Sequence, residues 1–305
     1  MDAPPAWLQT FLDRLAAEDL SAATRRGYRY DLLQFIAWYT GLNNAPPELP
    51  RLTEHDLIAW RQSMLTRGGL KASSINRRLE AIRRLLRWAE ASGAVARNVA
   101  RHVKSVRVPR KRQPLGLTAA EVHGLLRAAG ASSHGLARRN YALVQLMLQT
   151  GLRIGEVAAL RRSDIVLRDR AGTVRVRSGK GLKERAVPLN ATARRALRQL
   201  LEREPVTPSE TAVFRSGRDT AMPVRSMQNV IAALVRRSGL TKSAITAHSL
   251  RHTFALAWLR QHPGQLVELA QLLGHESLDT TAVYTRASAA DLARAIEQTP
   301  FNLDG

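Results

Sequence analysis

No cysteine occurs among the 305 residues, which excludes disulfides, thiolate zinc sites and a cysteine nucleophile. Acidic residues are also scarce. Asp and Glu number 25 against 47 Lys and Arg, a formal net charge of +22, and the sequence pI is near 11.5. A chain this basic points first to a polyanion, and nucleic acid is the commonest one; a generic solvated basic surface or an arginine-biased source genome is the plainer alternative. No apolar run reaches the ~18 residues that span a bilayer, and no signal-peptide core opens the chain. The expectation is a soluble, cytoplasmic protein with no membrane partner. Its length suits two domains, each with a core of its own.

What is present begins with helices. Trp7, Leu8, Phe11, Leu12 and Leu15 recur at helical spacing after Pro4-Pro5. Ser21 is a natural N-cap for a second helix that turns Tyr28, Leu32, Phe35, Ile36 and Tyr39 inward. Thr53-Glu-His-Asp56 is a capping-box variant opening a third helix through Leu57, Trp60 and Leu65. A fourth begins near Ser73, where Ile75, Leu79, Ile82, Leu86 and Ala89 share one stripe. Asn76, Arg77, Arg83, Arg84 and Arg87 fall on the opposite side. Such a face is either plainly solvated or a set of phosphate contacts.

Val103 to Pro114 carries Lys104, Arg107, Arg110, Lys111 and Arg112, two prolines and no acid. One-signed charge and proline favour an extended strap over a helix. The predicted organisation is therefore a helical domain over 1–104, a basic linker over 105–115 and a second domain over 116–305. In the second domain Thr118-Ala-Ala-Glu121 caps a helix, and Arg139 to Gln149 is apolar nearly all round until Gly151. Three short antiparallel strands follow, over 164–167, 173–177 and 184–188, with Lys180 in the glycine-flanked turn between the last two. Helices over 224–238, 247–261 and 265–273 complete it, and Ser288-Ala-Ala-Asp291 caps a last one over 288–299. The fold class predicted is mostly α: a four-helix front domain, then an α+β domain with a small three-stranded sheet.

The residues that carry chemistry converge late in the chain. His248 and Arg251, three apart, project from one helix face. Gly274 turns the chain so as to aim His275 outward, and Tyr284 lies nine residues later. Arg153 follows a buried helix end, where a guanidinium needs an anion; Glu156 could be a purely structural partner. Two histidines suggest zinc only if a further ligand lies nearby, and His252 is adjacent to Arg251 rather than facing His248. No metal or cofactor is implied. Imidazoles, guanidinia and a phenol are what phosphoryl transfer requires when it runs without metal. Only Tyr141 and Tyr284 lie beyond the linker, and Tyr141 sits in the apolar helix as a core residue.

In order, Arg153 within TGLRIGE, Lys180, His248-x-x-Arg251, LLGH ending at His275, and Tyr284 resemble the full signature of the tyrosine recombinase (phage-integrase) family, in particular its compact Xer-type members. Glu156 matches an acidic position of that family. The likeness extends over the helical front domain, similar to a core-binding domain, and over the strap, which in the family lies along DNA. Arg286 departs from a common histidine at a position that is not catalytic.

The resemblance implies a site-specific DNA recombinase that works through a 3′-phosphotyrosyl intermediate. The implied catalytic residues are Arg153, Lys180, His248, Arg251, His275 and Tyr284, with Glu156 in support. The arginines would hold the non-bridging oxygens, as Mg²⁺ does elsewhere. His275 would add a hydrogen bond, His248 would accept the Tyr284 proton and Lys180 would protonate the 5′-oxygen. Asn76, Arg77, Arg83, Arg84, Arg87, Arg110, Lys111 and Arg112 would bind DNA. Partners would be double-stranded recombination sites and either further copies, as a tetramer on paired sites, or a related recombinase. Chromosome resolution, phage integration and transposon resolution all remain open, as do a type IB topoisomerase-like nicking-closing enzyme and a catalytically silent DNA-binding protein.

Overall fold

The structure, a computed structural model, describes residues 4–18, 20–108, 116–131, 136–177, 184–202, 208–218, 220–240, 245–275, 277–282 and 284. The chain divides into two compact units, Met1–Arg110 and Lys111–Gly305. The candidates Arg110, Lys111, Arg112 and Lys180, and the expected helix over 288–299, lie outside the described residues.

The first unit consists of α1 (Ala6–Ala17), α2 (Ala22–Asn43), α3 (Glu54–Thr66) and α4 (Ala72–Ala91). Their starts follow the sequence. The Ser21 side chain accepts the Thr24 amide at 3.1 Å, and Thr53 and Asp56 form a complete capping box. Leu8, Phe11 and Leu15 of α1, Leu32 and Phe35 of α2 and the α4 stripe close one core. On α3 Leu57, Trp60 and Met64 are buried on one helix face, and Leu65 falls beyond its edge and is exposed.

The chain leaving α4 is docked more firmly than a free strap. The Asn76 amide nitrogen donates to the Val106 carbonyl at 2.8 Å, and its oxygen accepts the Val106 amide at 2.8 Å. Arg83 donates to the Val103 carbonyl at 2.6 Å and to Ser105 Oγ at 3.1 Å. Val103 is buried.

In the second unit the Thr118–Glu121 capping box starts α5 (Ala119–Gly130). Next comes α6 (Leu136–Thr150), whose Leu143, Val144, Leu146 and Met147 are all buried, as a helix apolar on nearly every side must be. It packs against α5 and, further along the chain, against α8 and α10. Gly151 takes φ +64°, and a Cβ there would lie 2.4 Å from a Phe254 ring carbon, so the helix stops and the chain turns into α7 (Ile154–Ala159). The sheet is β1 (Ile165–Leu167), β2 (Gly172–Val176) and β3 (Arg185–Pro188), antiparallel in that order, with Val174 opposite both Ile165 and Val187. Each strand agrees with its predicted span to within a residue at either end. Then follow α8 (Ala191–Leu201), α9 (Val224–Arg237), α10 (Ala247–Gln261), α11 (Leu266–Leu273) and α12 (Leu278–Ala282). Among the described residues no helix is long and apolar enough to cross a membrane.

Candidate active site

The site is built where α7, α10, α11 and α12 meet. Arg251 reaches inward from α10 and is 2% exposed. It donates to the Gly151 carbonyl at 2.8 Å, to the Leu273 carbonyl at 2.9 Å and to His275 Nε2 at 2.7 Å. Burial foremost, then the neighbouring Arg153 charge, lowers its pKa to about 10, which still leaves it a cation at neutral pH. The free ends of two helices, α6 and α11, supply the carbonyls that hold it.

A guanidinium can only donate, so His275 Nε2 is the acceptor of that bond and the ring proton sits on Nδ1. Nδ1 lies 2.7 Å from Thr281 Oγ1 on α12, which accepts it. Burial, with Arg251 next, lowers the His275 pKa to about 4, so the ring is neutral. His275 is thus turned onto Arg251, half-buried, and not directed outward as the glycine cap suggested. Gly274 does take the left-handed conformation, φ +64°.

Arg153 caps α7 and donates to Glu156 at 3.1 Å, to the Leu273 carbonyl at 3.3 Å and to the Gly274 carbonyl at 3.1 Å. The structural pairing with Glu156 therefore exists, but Glu156 has a stronger claim on it. Arg185, the first residue of β3, grips both carboxylate oxygens at 3.0 and 2.9 Å and donates to the Leu272 carbonyl at 3.0 Å. Burial opposes ionisation of Glu156, and the Arg185 hydrogen bonds, the Arg153 amide and both guanidinium charges override it, leaving the carboxyl below its ordinary value. The Arg185 guanidinium also fills the space beside Gly274, where a Cβ would lie 2.6 Å from Nη1.

Tyr284 is only 8% exposed, packed with Ala255, Leu269 and Leu273. Burial raises its pKa, and Arg251 is the first of the charges that pull it back. Its hydroxyl shares a hydrogen bond of 2.7 Å with His252 Nδ1. The sequence pointed to His248 as the hydroxyl's counterpart and set His252 aside. In the structure the rings of His248 and His252 approach to 4.1 Å between centroids, because four residues make one helical turn and bring them to the same face. Among the described residues no group of three or more His, Cys, Asp or Glu could hold a metal ion.

His248, Arg153 and Arg251 line a cleft of about 690 Å³ whose opposite wall includes Arg225, Gln228 and Asn229 of α9. An anion placed there meets three guanidinia and an imidazole. Thus Arg153, Glu156, His248, Arg251, His275 and Tyr284 come together. Tyr141, expected in the core, is half-buried, with its hydroxyl accepting from Gln145 at 2.9 Å.

The front-domain candidates are engaged within their own unit. Arg77 pairs with Asp31, Arg84 with Glu18 and Tyr28, and Arg83 and Arg87 with Glu80. Asn76 and Arg83 hold the chain leaving α4. The sequence reading set His252 aside and left out Arg185, Thr281 and the α9 trio. His252 carried a signal in its spacing of four from His248, and the trio in three polar residues on one face at i, i+3 and i+4.

Comparison with known proteins agrees with this geometry. The Phage integrase family model matches residues 116–291, and the Phage integrase, N-terminal SAM-like domain model matches 8–93. The tyrosine recombinase XerD of Mycobacterium leprae (strain TN) is 33% identical over 296 residues, 91% of each chain. The tyrosine recombinase XerC of Xanthomonas campestris pv. campestris (strain B100) is 32% identical over 299 residues, 97% of this chain and 88% of that one. In fold the chain is similar to the XerH site-specific recombinase bound to difH substrate in a pre-cleavage complex, with TM-score 0.71 and 23% identity over 95% of this chain and 83% of that one. Sequence, fold and assembled side chains agree: this chain belongs to the phage-integrase family of tyrosine recombinases, enzymes that transfer DNA strands.

Proposed function

We propose that the protein is a site-specific DNA recombinase in which Tyr284 is the nucleophile. The observation that carries this reading is a phenol buried beside the Arg251–His275–Arg153 cluster, two of whose arginines, Arg153 and Arg251, line the adjoining cleft with His248 and Arg225. Tyr284 Oη attacks the phosphorus of a DNA phosphodiester, the bond to the 5′-oxygen breaks, and a 3′-phosphotyrosyl link forms. Arg153 and Arg251 hold the non-bridging oxygens as charge builds on them, and His275, locked by Thr281, keeps Arg251 aimed. The phenolic proton is accepted by His248, and Lys180 protonates the departing 5′-oxygen. A different 5′-hydroxyl then attacks phosphorus and frees Tyr284, so rejoining needs no ATP.

Around this chemistry, residues 1–104 form the core-binding domain, 105–115 the basic linker and 116–305 the catalytic domain, whose last helix, over 288–299, docks onto a neighbouring copy. DNA sites are held by Arg77 and Arg87 together with Arg110, Lys111 and Arg112. The working unit is a tetramer on paired sites, or a mixed assembly with a related recombinase. The lambda integrase, one of the structural neighbours, has been seen as a tetramer bound to a Holliday junction.

Sequencing the DNA covalently captured by the protein identifies its site. On a nicked duplex carrying that site, Tyr284→Phe should bind with near wild-type affinity and form no covalent adduct. An undiminished adduct yield overturns the assignment.

A further inference from the structure

We propose that His252 is a positioning residue for Tyr284: it anchors the phenolic oxygen beside Arg251, so that the nucleophile enters the reaction with its direction of attack already set. This deepens the reading of Tyr284 as nucleophile and rests on it. Three observations carry the proposal. The first is the 2.7 Å hydrogen bond between Tyr284 Oη and His252 Nδ1, in which the protonated phenol donates and the imidazole nitrogen accepts. The second is the packing of the two rings, whose centroids are 5.3 Å apart at an interplanar angle of 62°. The third is that His252 directly follows Arg251 on α10, so the proposed phosphate-holding guanidinium and the anchor of the nucleophile belong to one rigid segment.

A Tyr side chain has two free torsions, and Tyr284 follows the short helix α12. Apolar packing against Ala255, Leu269 and Leu273 fixes the ring, but its hydroxyl needs a polar partner to fix the last direction. His252 supplies it and is itself held, with His248 edge-on at 4.1 Å. Burial first, then His248 and Arg251, lowers the His252 pKa to about 4. The imidazole is therefore neutral at working pH, and the phenol, whose pKa burial raises, keeps its proton until phosphate arrives. Before DNA binds, the bond sets geometry and no proton has moved. Misplacing an attacking atom by about 1 Å can cost ~10²-fold in rate.

The test compares His252→Leu, which keeps bulk and loses the polar atom, with His252→Asn, whose Oδ1 stands where Nδ1 does. Both are assayed as full-length chains by single-turnover adduct formation on the nicked duplex bearing the captured site. DNA affinity and thermal midpoint are measured alongside. The expected result is adduct formation ~10–100-fold slower for His252→Leu at unchanged affinity, with His252→Asn within about 3-fold of wild type. Overturning results are a His252→Leu rate equal to or above wild type, or a His252→Asn as slow as His252→Leu while both fold and bind normally. If His252→Leu fails to fold, the Asn rate alone decides: within 3-fold supports the proposal and slower overturns it. Tyr284→Phe runs beside them, and an adduct from that variant condemns the nucleophile assignment instead.

Discussion

At the residue scale the site is a set of cations and neutral donors held by backbone carbonyls. Arg153, Arg185 and Arg251 all donate to the carbonyls of Leu272, Leu273 and Gly274 at the end of α11. Like charges this close repel, and Glu156 is the anion that offsets them. Removing Arg185 strands a largely buried carboxylate, so Arg185→Met should lower stability by about 1–3 kcal/mol in urea unfolding. A double-mutant cycle with Glu156→Gln should show coupling between the two; additive losses would mean the pair contributes nothing. His275 gives a pH signature. Its folded pKa, about 4, lies below the ordinary 6.5, so the unfolded chain binds the extra proton first. Its contribution is complete above about pH 6.5 and is lost as pH falls toward 4. The thermal midpoint should therefore fall less steeply over that window in His275→Gln than in wild type, and equal slopes would refute the buried neutral ring. Arg153, the His-x-x-Arg pair, His275 and Tyr284 were legible in the sequence because each sits in a short local pattern. His252 and Arg185 were not, since their roles come from residues 32 and 29 positions away along the chain.

At the element scale, caps and stripes specify most of the secondary structure. Ser21, Thr53 and Thr118 all cap the helices they were expected to start. Leu65, exposed next to the buried Met64, shows the limit of such patterns, because at the margin of a stripe burial depends on what the facing helix offers. The basic face of α4 shows another. Its polar residues share a face but not a task. Arg83 and Arg84 side chains are 20% and 29% exposed, whereas Arg77 and Arg87 are 53% and 60% exposed. Phosphate contact is therefore proposed for the second pair. Arg77→Gln and Arg87→Gln should each reduce the slope of log affinity against log salt by about 0.9. Arg83→Gln should instead loosen residues 103–106 and leave the slope alone. Equal slope changes for all three would erase this division.

At the scale of the whole molecule, the chain divides into two compact units within the one-signed, proline-bearing stretch from Val103 to Pro114. For the proposed docking between copies the sequence offers one local pattern, the narrow stripe of Leu292, Ala295 and Ile296 after the Ser288 capping motif. Truncation after Ala287 should leave single-site binding near wild type and abolish cooperative binding to paired sites; cooperative assembly by the truncated chain would rule out docking in trans. Beneath all of this lies one bond. Captured on a nicked duplex, digested and read by mass spectrometry, the protein should carry a DNA 3′-phosphate on Tyr284 and on no other residue. A phosphate bonded elsewhere, or no covalent species at all from a protein that binds its site, would contradict the account.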